Sequence, residues 1–462
     1  MTAPWLAPET QRLLAAACVL GLYLLLCAAV WRAERRRRQQ TAGTAAALAG
    51  GSQAPVLVAY ASQTGLAEQL ALQTAQALHG AGVPARLLAL GQLTAADLAG
   101  ASRALFIASS YGEGDPPDTA APFTRRVMAA QPAPALQGLR YATLALGDRA
   151  YARFCGFGRQ LDAWLQQQGA QALFERIDVD RADPAALAEW QQRLVSLTGV
   201  GTLPAMDTPG FEPWHIVARQ QVNPGSLGEP LFHLELEPPP GVALPQWESG
   251  DLVQVLAPTD PARPREYSVA SIPADGRVHL LVRQQRKADG SLGAASGWLT
   301  AQARPEDRIA LRLRAHSGFR LGDNAAWPLI LIGNGSGLAG LRGHLRTRAA
   351  RRAGPNWLFF GERQAAHDRP YREEIDAWLA SGVLTRAELV FSRDQAERRH
   401  VQQRLLECAA DLRQWVAEGA AVYVCGSLEG MASGVHQALT EVLGAAALEQ
   451  LGDAGRYRRD VY

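Results

Sequence analysis

Pro55 to Leu70 reads PVLVAYASQTGLAEQL. Its first half is a short apolar run of β-branched and small residues, the composition of a buried strand. The run breaks into Ser62, Gln63, Thr64 and Gly65, and a helical pattern begins at Leu66 and Ala67. A strand, a hydroxyl-rich turn and a helix in that order bring exposed backbone N–H groups, the positive end of a helix dipole and two hydroxyls to one point. Such a point binds an anion without needing a lysine, and a phosphate monoester suits it. Ser and Thr are also ordinary helix caps, so the turn alone does not settle the matter.

The residues that follow extend the pattern. From 55 to about 198, apolar strands (VLVAYAS, ARLLAL, ALFIASS, YATLALG, LFERIDVD) alternate with helical stretches, which predicts a doubly wound α/β domain with a parallel sheet. Ligands of such sheets bind beyond the carboxyl ends of the strands. Two more loops fall at that edge. SSYGEGDPPD carries Ser109, Ser110, Tyr111 and Gly112, and LGDRAYARFCGFG carries Leu146, Gly147, Asp148, Tyr151, Phe154 and Cys155. Each holds a tyrosine among glycines, an arrangement suited to a flat heterocycle whose rim the backbone approaches closely.

The chain has 462 residues, enough for roughly two or three domains. The formal charge of +2 is close to balance and argues against a nucleic-acid partner. Five scattered cysteines show neither a disulfide framework nor metal-ligand spacing, so no metal is expected. Leu13 to Trp31 is uncharged, about as long as a membrane-crossing helix, and is followed by Arg35 to Arg38. Positive charge after the apolar run reads as an anchor, not a cleaved leader. Residues 1–34 are therefore expected to be a single-pass transmembrane anchor in the inner membrane, with the remainder in the cytoplasm. Residues 35–54 read as a flexible tether.

After a loosened stretch near Leu197 to Pro213, short strands separated by Pro and Gly predict a small antiparallel barrel over 211–325. Within it lie Arg265, Tyr267 and Ser268 of RPREYSVAS, and Gly293, Ala294, Ala295 and Ser296 at a second strand-to-helix turn. Residues 326–462 return to strand and helix alternation. They carry the glycine loop with Gly335, Ser336 and Gly337, and the cluster Ser392, Arg393 and Arg398 just past a strand. Paired guanidiniums beside a hydroxyl match a phosphate monoester, the group that separates NADPH from NADH. Cys425 ends another strand, and the chain finishes on Asp460, Val461 and Tyr462.

SQTGLAE, SYGEGDPPD and LGDRAYARFC together resemble the FMN-binding flavodoxin domain of diflavin reductases, and RPREYS with GAASGWL resembles the FAD signature of ferredoxin-NADP reductase modules. The third loop is most similar to the sulfite reductase flavoprotein subunit. The resemblance implies that Ser62 to Ala67 hold the FMN phosphate, with Leu66 where relatives often have a hydroxyl or amide. It implies that Ser109 to Gly112 and Leu146 to Cys155 enclose the isoalloxazine. Arg265 would pair with the FAD pyrophosphate, Tyr267 would pack on that flavin, and Gly293 to Ser296 would cradle the diphosphate. Arg398 replaces a lysine of the family, His400 a tyrosine, and Gln402 is kept, all toward NADPH. Ser268, Cys425 and Asp460 would position the transferred hydride, and Tyr462 would stack on FAD as a gate. The long helical insert of larger relatives is missing between WESGDLVQVLAP and RPREYS.

These implications combine into an expected membrane-anchored enzyme that passes electrons from NADPH through FAD and FMN to an acceptor protein. A haemoprotein is the first expectation for that acceptor. A sulfite reductase partner and a ferric-siderophore reduction system are the alternatives, and a flavin-binding scaffold without turnover is the non-enzymatic one.

Overall fold

The computed structural model describes residue 48, residues 54–199 and residues 210–462. Three sheets organise them. In the first, β1 (Val56–Ala61), β2 (Ala85–Ala89), β3 (Arg103–Ser109), β4 (Arg140–Gly147), β5 (Gln171–Ala172) and β6 (Ile177–Asp180) run parallel in the order β2-β1-β3-β4-β5, with β6 also on β4. The central strands β1, β3 and β4 are buried along nearly their whole length, as a sheet covered on both faces requires. Helix α1 (Leu66–Gly80) leaves β1 through Gly65, whose φ of 92° lies in the left-handed region. Gly65 is also pressed against a distant segment, since a Cβ there would sit 2.3 Å from the Ala315 carbonyl oxygen.

The second sheet is antiparallel throughout: β7 (Glu212–Gln221), β8 (Leu231–Glu237), β9 (Leu252–Ala257), β10 (Asp260–Ser268), β11 (Val278–Arg283) and β12 (Ile309–Arg314), in the order β10-β9-β12-β7-β8-β11. Strands β9 and β10 are joined directly at Ala257 and Asp260, so nothing is inserted there. Trp214, Val253, Val255, Leu280 and Leu299 fill its interior. The third sheet is parallel: β13 (Leu329–Asn334), β14 (Asn356–Glu362), β15 (Arg386–Phe391), β16 (Ala421–Gly426) and β17 (Tyr457–Val461), in the order β15-β14-β13-β16-β17. Register places Cys425 of β16 opposite Asp460 of β17.

The expected transmembrane anchor is corrected. Its stretch, Leu13 to Trp31, lies outside the described residues, as do most of the tether and residues 200–209 of the loosened stretch. Among the described residues no helix is long and apolar enough to cross a membrane. The fold is thus a doubly wound α/β unit followed by an antiparallel sheet and a second parallel α/β unit, the last two forming the expected reductase module, and neither membrane tethering nor inner-membrane placement is supported.

The carboxyl edge of the first sheet faces the reductase module. Arg459 of β17 grips the Asp118 carboxylate with both arms of its guanidinium, the Nε to Oδ2 distance being 2.9 Å. Arg125 reaches Asp453 at 2.8 Å, and the Tyr111 hydroxyl donates to the Val461 carbonyl at 3.2 Å.

Candidate functional site

The centre of the reductase module is a buried trio drawn from three elements. The Ser268 hydroxyl, at the end of β10, donates to Asp460 Oδ2 at 2.7 Å, and the Cys425 thiol lies 3.7 Å from the same oxygen. Ser268 is 5% exposed, Asp460 6% and Cys425 0%. Burial, reinforced by the Asp460 carboxylate, pushes the Cys425 thiol well above its ordinary range, so it stays neutral and donates weakly. Gly337 packs over this group, because a Cβ there would lie 2.1 Å from the Cys425 carbonyl oxygen. The glycine loop therefore brings the start of its helix against the strand end.

Two cavities meet nearby. One, of about 400 Å³, is lined by Arg265, Tyr267, Ser268, Gly293, Ala294, Ala295 and Ser296, all of which the sequence singled out. There the Ser296 hydroxyl accepts from the Gln285 N–H at 3.1 Å, and Arg265 rests on Asp260 at 3.1 Å. The other, of about 540 Å³, is lined by Gly335, Ser336, Ser392, Arg393, His400 and Gln402. Arg398 does not line it and the adjacent Arg399 does, tied by its guanidinium to Glu407. Tyr462 borders both cavities, with its hydroxyl 3.1 Å from Ser336 Oγ and its backbone N–H on the Gly426 carbonyl at 3.1 Å. As a residue Tyr462 is 57% exposed.

At the flavodoxin edge the Ser62 hydroxyl accepts from the Gly65 N–H at 2.8 Å and closes the turn. Gln63 Oε1 accepts from the Asp118 N–H at 3.0 Å, which ties the turn to the second loop. The third loop is joined to that second loop as well, for the Ser110 hydroxyl accepts from the Phe157 N–H at 3.1 Å. Tyr111 is turned toward β17, and burial pushes its hydroxyl up to about 12. Tyr151 is 47% exposed on the same edge. Cys155 is fully buried with its thiol on the Ala145 carbonyl at 3.3 Å, so its side chain serves the turn and not an open face. Phe154 lies under Arg149, 5.2 Å from its ring centre.

Comparison with known proteins agrees with this arrangement. Residues 58–190 match the flavodoxin family model, and residues 331–437 match the oxidoreductase NAD-binding domain model. The sulfite reductase [NADPH] flavoprotein alpha-component of Vibrio cholerae serotype O1 is 29% identical across 90% of this chain and 88% of its own length. The same-named proteins of Neisseria meningitidis serogroup A and Escherichia coli O1:K1 are 27% and 28% identical, each over 88% of this chain. The chain belongs to the diflavin reductase family. It is an NADPH-dependent flavoprotein oxidoreductase of the sulfite reductase flavoprotein kind, and it uses flavin and nicotinamide nucleotides. The Vibrio alignment runs over 544 positions against a chain of 462 residues, so that relative carries length which this diflavin reductase lacks, in keeping with the direct β9 to β10 connection.

Sequence reasoning missed several residues of the reductase. Arg283, at the end of β11, borders both cavities and pairs with the buried Glu362, whose carboxyl is pushed up by burial against the pull of that guanidinium. An arginine closing an apolar strand was the available signal. Lys287, the one lysine of the chain, lines the smaller cavity. One group with metal-ligand chemistry, His233, Glu235 and His279, occurs among the described residues. Glu235 is already paired with Arg277 at 2.7 Å, and Arg342 stands 3.3 Å from His279.

Proposed function

We propose that the chain is the electron-supplying flavoprotein of a sulfite-reducing system, taking electrons from NADPH and handing them to a haem-bearing acceptor protein. The observation that carries this reading is the buried Ser268, Asp460 and Cys425 group, whose Ser268 lines the smaller of the two cavities. When bound, NADPH and the two flavins would supply the redox chemistry that links a two-electron donor to a one-electron acceptor. The protein groups bind and orient them.

The residues present fit those groups. Arg265, Lys287 and the N–H groups around Gly293 offer positive charge to a diphosphate in the smaller cavity, and Tyr267 offers a ring. Ser392 and Arg393, with Arg398 or Arg399, offer a hydroxyl and guanidiniums to the 2′-phosphate of NADPH. Tyr462 lines both cavities and must swing aside to join them, giving up the bond between its hydroxyl and Ser336. Asp460 keeps the Ser268 hydroxyl in a single orientation, and water is excluded by burial. The Ser62 to Ala67 turn is the proposed seat of the FMN phosphate, with the Tyr111 and Tyr151 loops around its ring.

The deciding experiment is purification of the full chain, assay of its flavins, and measurement of NADPH-driven reduction of cytochrome c and of a sulfite reductase haemoprotein. Equimolar FMN and FAD with NADPH-dependent turnover is expected. A colourless protein that accepts neither flavin would overturn the proposal. Bound flavin that NADPH leaves oxidised would favour a scaffold.

A further inference from the structure

The proposed FMN phosphate turn has no cation of its own. Neither Ser62 to Ala67 nor the rest of α1 contains a lysine or arginine, and the first helical turn carries Glu68. A phosphate monoester is close to a dianion at neutral pH, so a turn built only of N–H groups and hydroxyls leaves much of that charge unanswered.

The reductase module supplies what the turn lacks. Arg314, the last residue of β12, extends across the module boundary and donates from one guanidinium nitrogen to Thr64 Oγ1 at 3.0 Å. A second nitrogen is paired with Glu266, and Nε is buried without a hydrogen-bond partner among the described residues. The side chain is only 11% exposed. The backbone comes equally close at this place, where Ala315 abuts Gly65 and the Ser317 hydroxyl bonds Glu68. Arg312 lies near enough to Arg314 for the two guanidiniums to repel, while Glu266 is the carboxylate that answers them on this side. The patch facing the turn therefore carries two guanidiniums against one carboxylate of its own, with Glu68 opposite.

We propose that Arg314 completes the mononucleotide phosphate site from the neighbouring module, so that FMN is held more tightly while the two modules are docked. The inference rests on the seat proposed for FMN above and assigns that seat a ligand from outside the flavodoxin unit. A guanidinium already anchored on Thr64 and Glu266 loses little side-chain freedom when a phosphate arrives, and in a half-dry boundary its charge is poorly screened.

The test is titration of the flavin-stripped full chain with FMN and with riboflavin, which lacks the phosphate, followed by fluorescence. Arg314→Gln is expected to raise the Kd for FMN about tenfold, the loss of one charge-assisted bond, and to leave riboflavin unchanged. Glu266→Gln frees the second guanidinium arm from its carboxylate and is expected to shift FMN the other way, lowering its Kd. FMN binding within twofold of the wild type in Arg314→Gln, equal weakening of riboflavin, or weaker FMN binding in Glu266→Gln would each overturn the role of Arg314. A wild-type chain that binds neither FMN nor riboflavin would instead remove the proposed seat itself.

Discussion

Replacing Ser268 with Ala removes the hydroxyl that bonds Asp460 Oδ2 at 2.7 Å, and among the described residues leaves that oxygen the thiol of Cys425 at 3.7 Å. Both partners of the lost bond are almost fully enclosed, so water does not readily replace it. A charge-assisted bond of this kind contributes about 1.5 to 3 kcal/mol. If it is made in full only when nicotinamide and flavin are aligned, its loss slows flavin reduction by NADPH roughly 10- to 150-fold. The assay is stopped-flow bleaching of the flavin on mixing with saturating NADPH. NADPH affinity should change little, because Ser268 borders the flavin-side cavity and not the larger one. Asp460→Ala should slow the same step, and the double variant should cost little beyond the worse single, since the two residues act through one bond. A loss below about threefold for Ser268→Ala, or single effects that simply add in the double variant, would refute the reasoning.

Arg393→Ala combined with Arg398→Ala should weaken NADPH by about 1.5 to 3 kcal/mol per lost charge-assisted bond and leave NADH almost untouched; equal losses would contradict the 2′-phosphate assignment. Repeating the comparison of kcat/KM with Arg399→Ala identifies which of the two adjacent guanidiniums meets the phosphate. Tyr462→Ala should improve use of NADH, as the ring stops competing for the space between the cavities, and unchanged coenzyme preference would argue against a gate. Burial pushes His344 down to about 3, so the unfolded chain takes up a proton below its ordinary value of 6.5 while the folded chain does not. Stability should therefore fall as pH drops from about 6.5 toward about 3, by up to about 1.4 kcal/mol per pH unit from this residue. Urea midpoints across that range should fall less steeply in His344→Asn, and an identical slope would exclude the assignment.

Much of the fold was legible because it is written in periodicity. The apolar runs that become β1, β3, β4, β13, β14 and β16 are continuous, as strands covered on both faces must be, and the turn at Ser62 to Gly65 follows directly from where the first run stops. Ser268, Cys425 and Asp460 were named from resemblance, and they meet because β16 and β17 pair in register while β10 ends against them. No local pattern announces that meeting. Arg283 with Glu362, and Arg459 with Asp118, were not foreseen, since an ion pair between residues far apart in sequence leaves no spacing to read. Hydropathy at Leu13 to Trp31 gave an anchor that no described helix supports, for an uncharged run reports only preference for an apolar setting and not which setting it finds.

The docked arrangement bears on how such a chain can serve a protein acceptor. The carboxyl edge of the first sheet, where the three loops converge, is covered by β17 and by residues 314–318: Tyr111 lies on Val461, Thr64 on Arg314 and Glu68 on Ser317. On the proposed reading that face receives electrons from the reductase module, and in this arrangement it is covered against a partner of comparable size. The contacts that close it are mainly polar. The Arg459 and Asp118 side chains keep 25% and 35% of their exposure, and those of Arg125 and Asp453 keep 39% and 32%. Ion pairs that keep this much exposure contribute modestly and weaken with salt where solvent reaches them, unlike the more enclosed Arg314 contact. Under the function proposed above, a charged acceptor would compete for these polar contacts. The absence of an insert between β9 and β10 fits the same logic. With the flavodoxin edge seated directly on the reductase module through its own loops, no intervening helical layer is required to bring the two proposed flavin seats together.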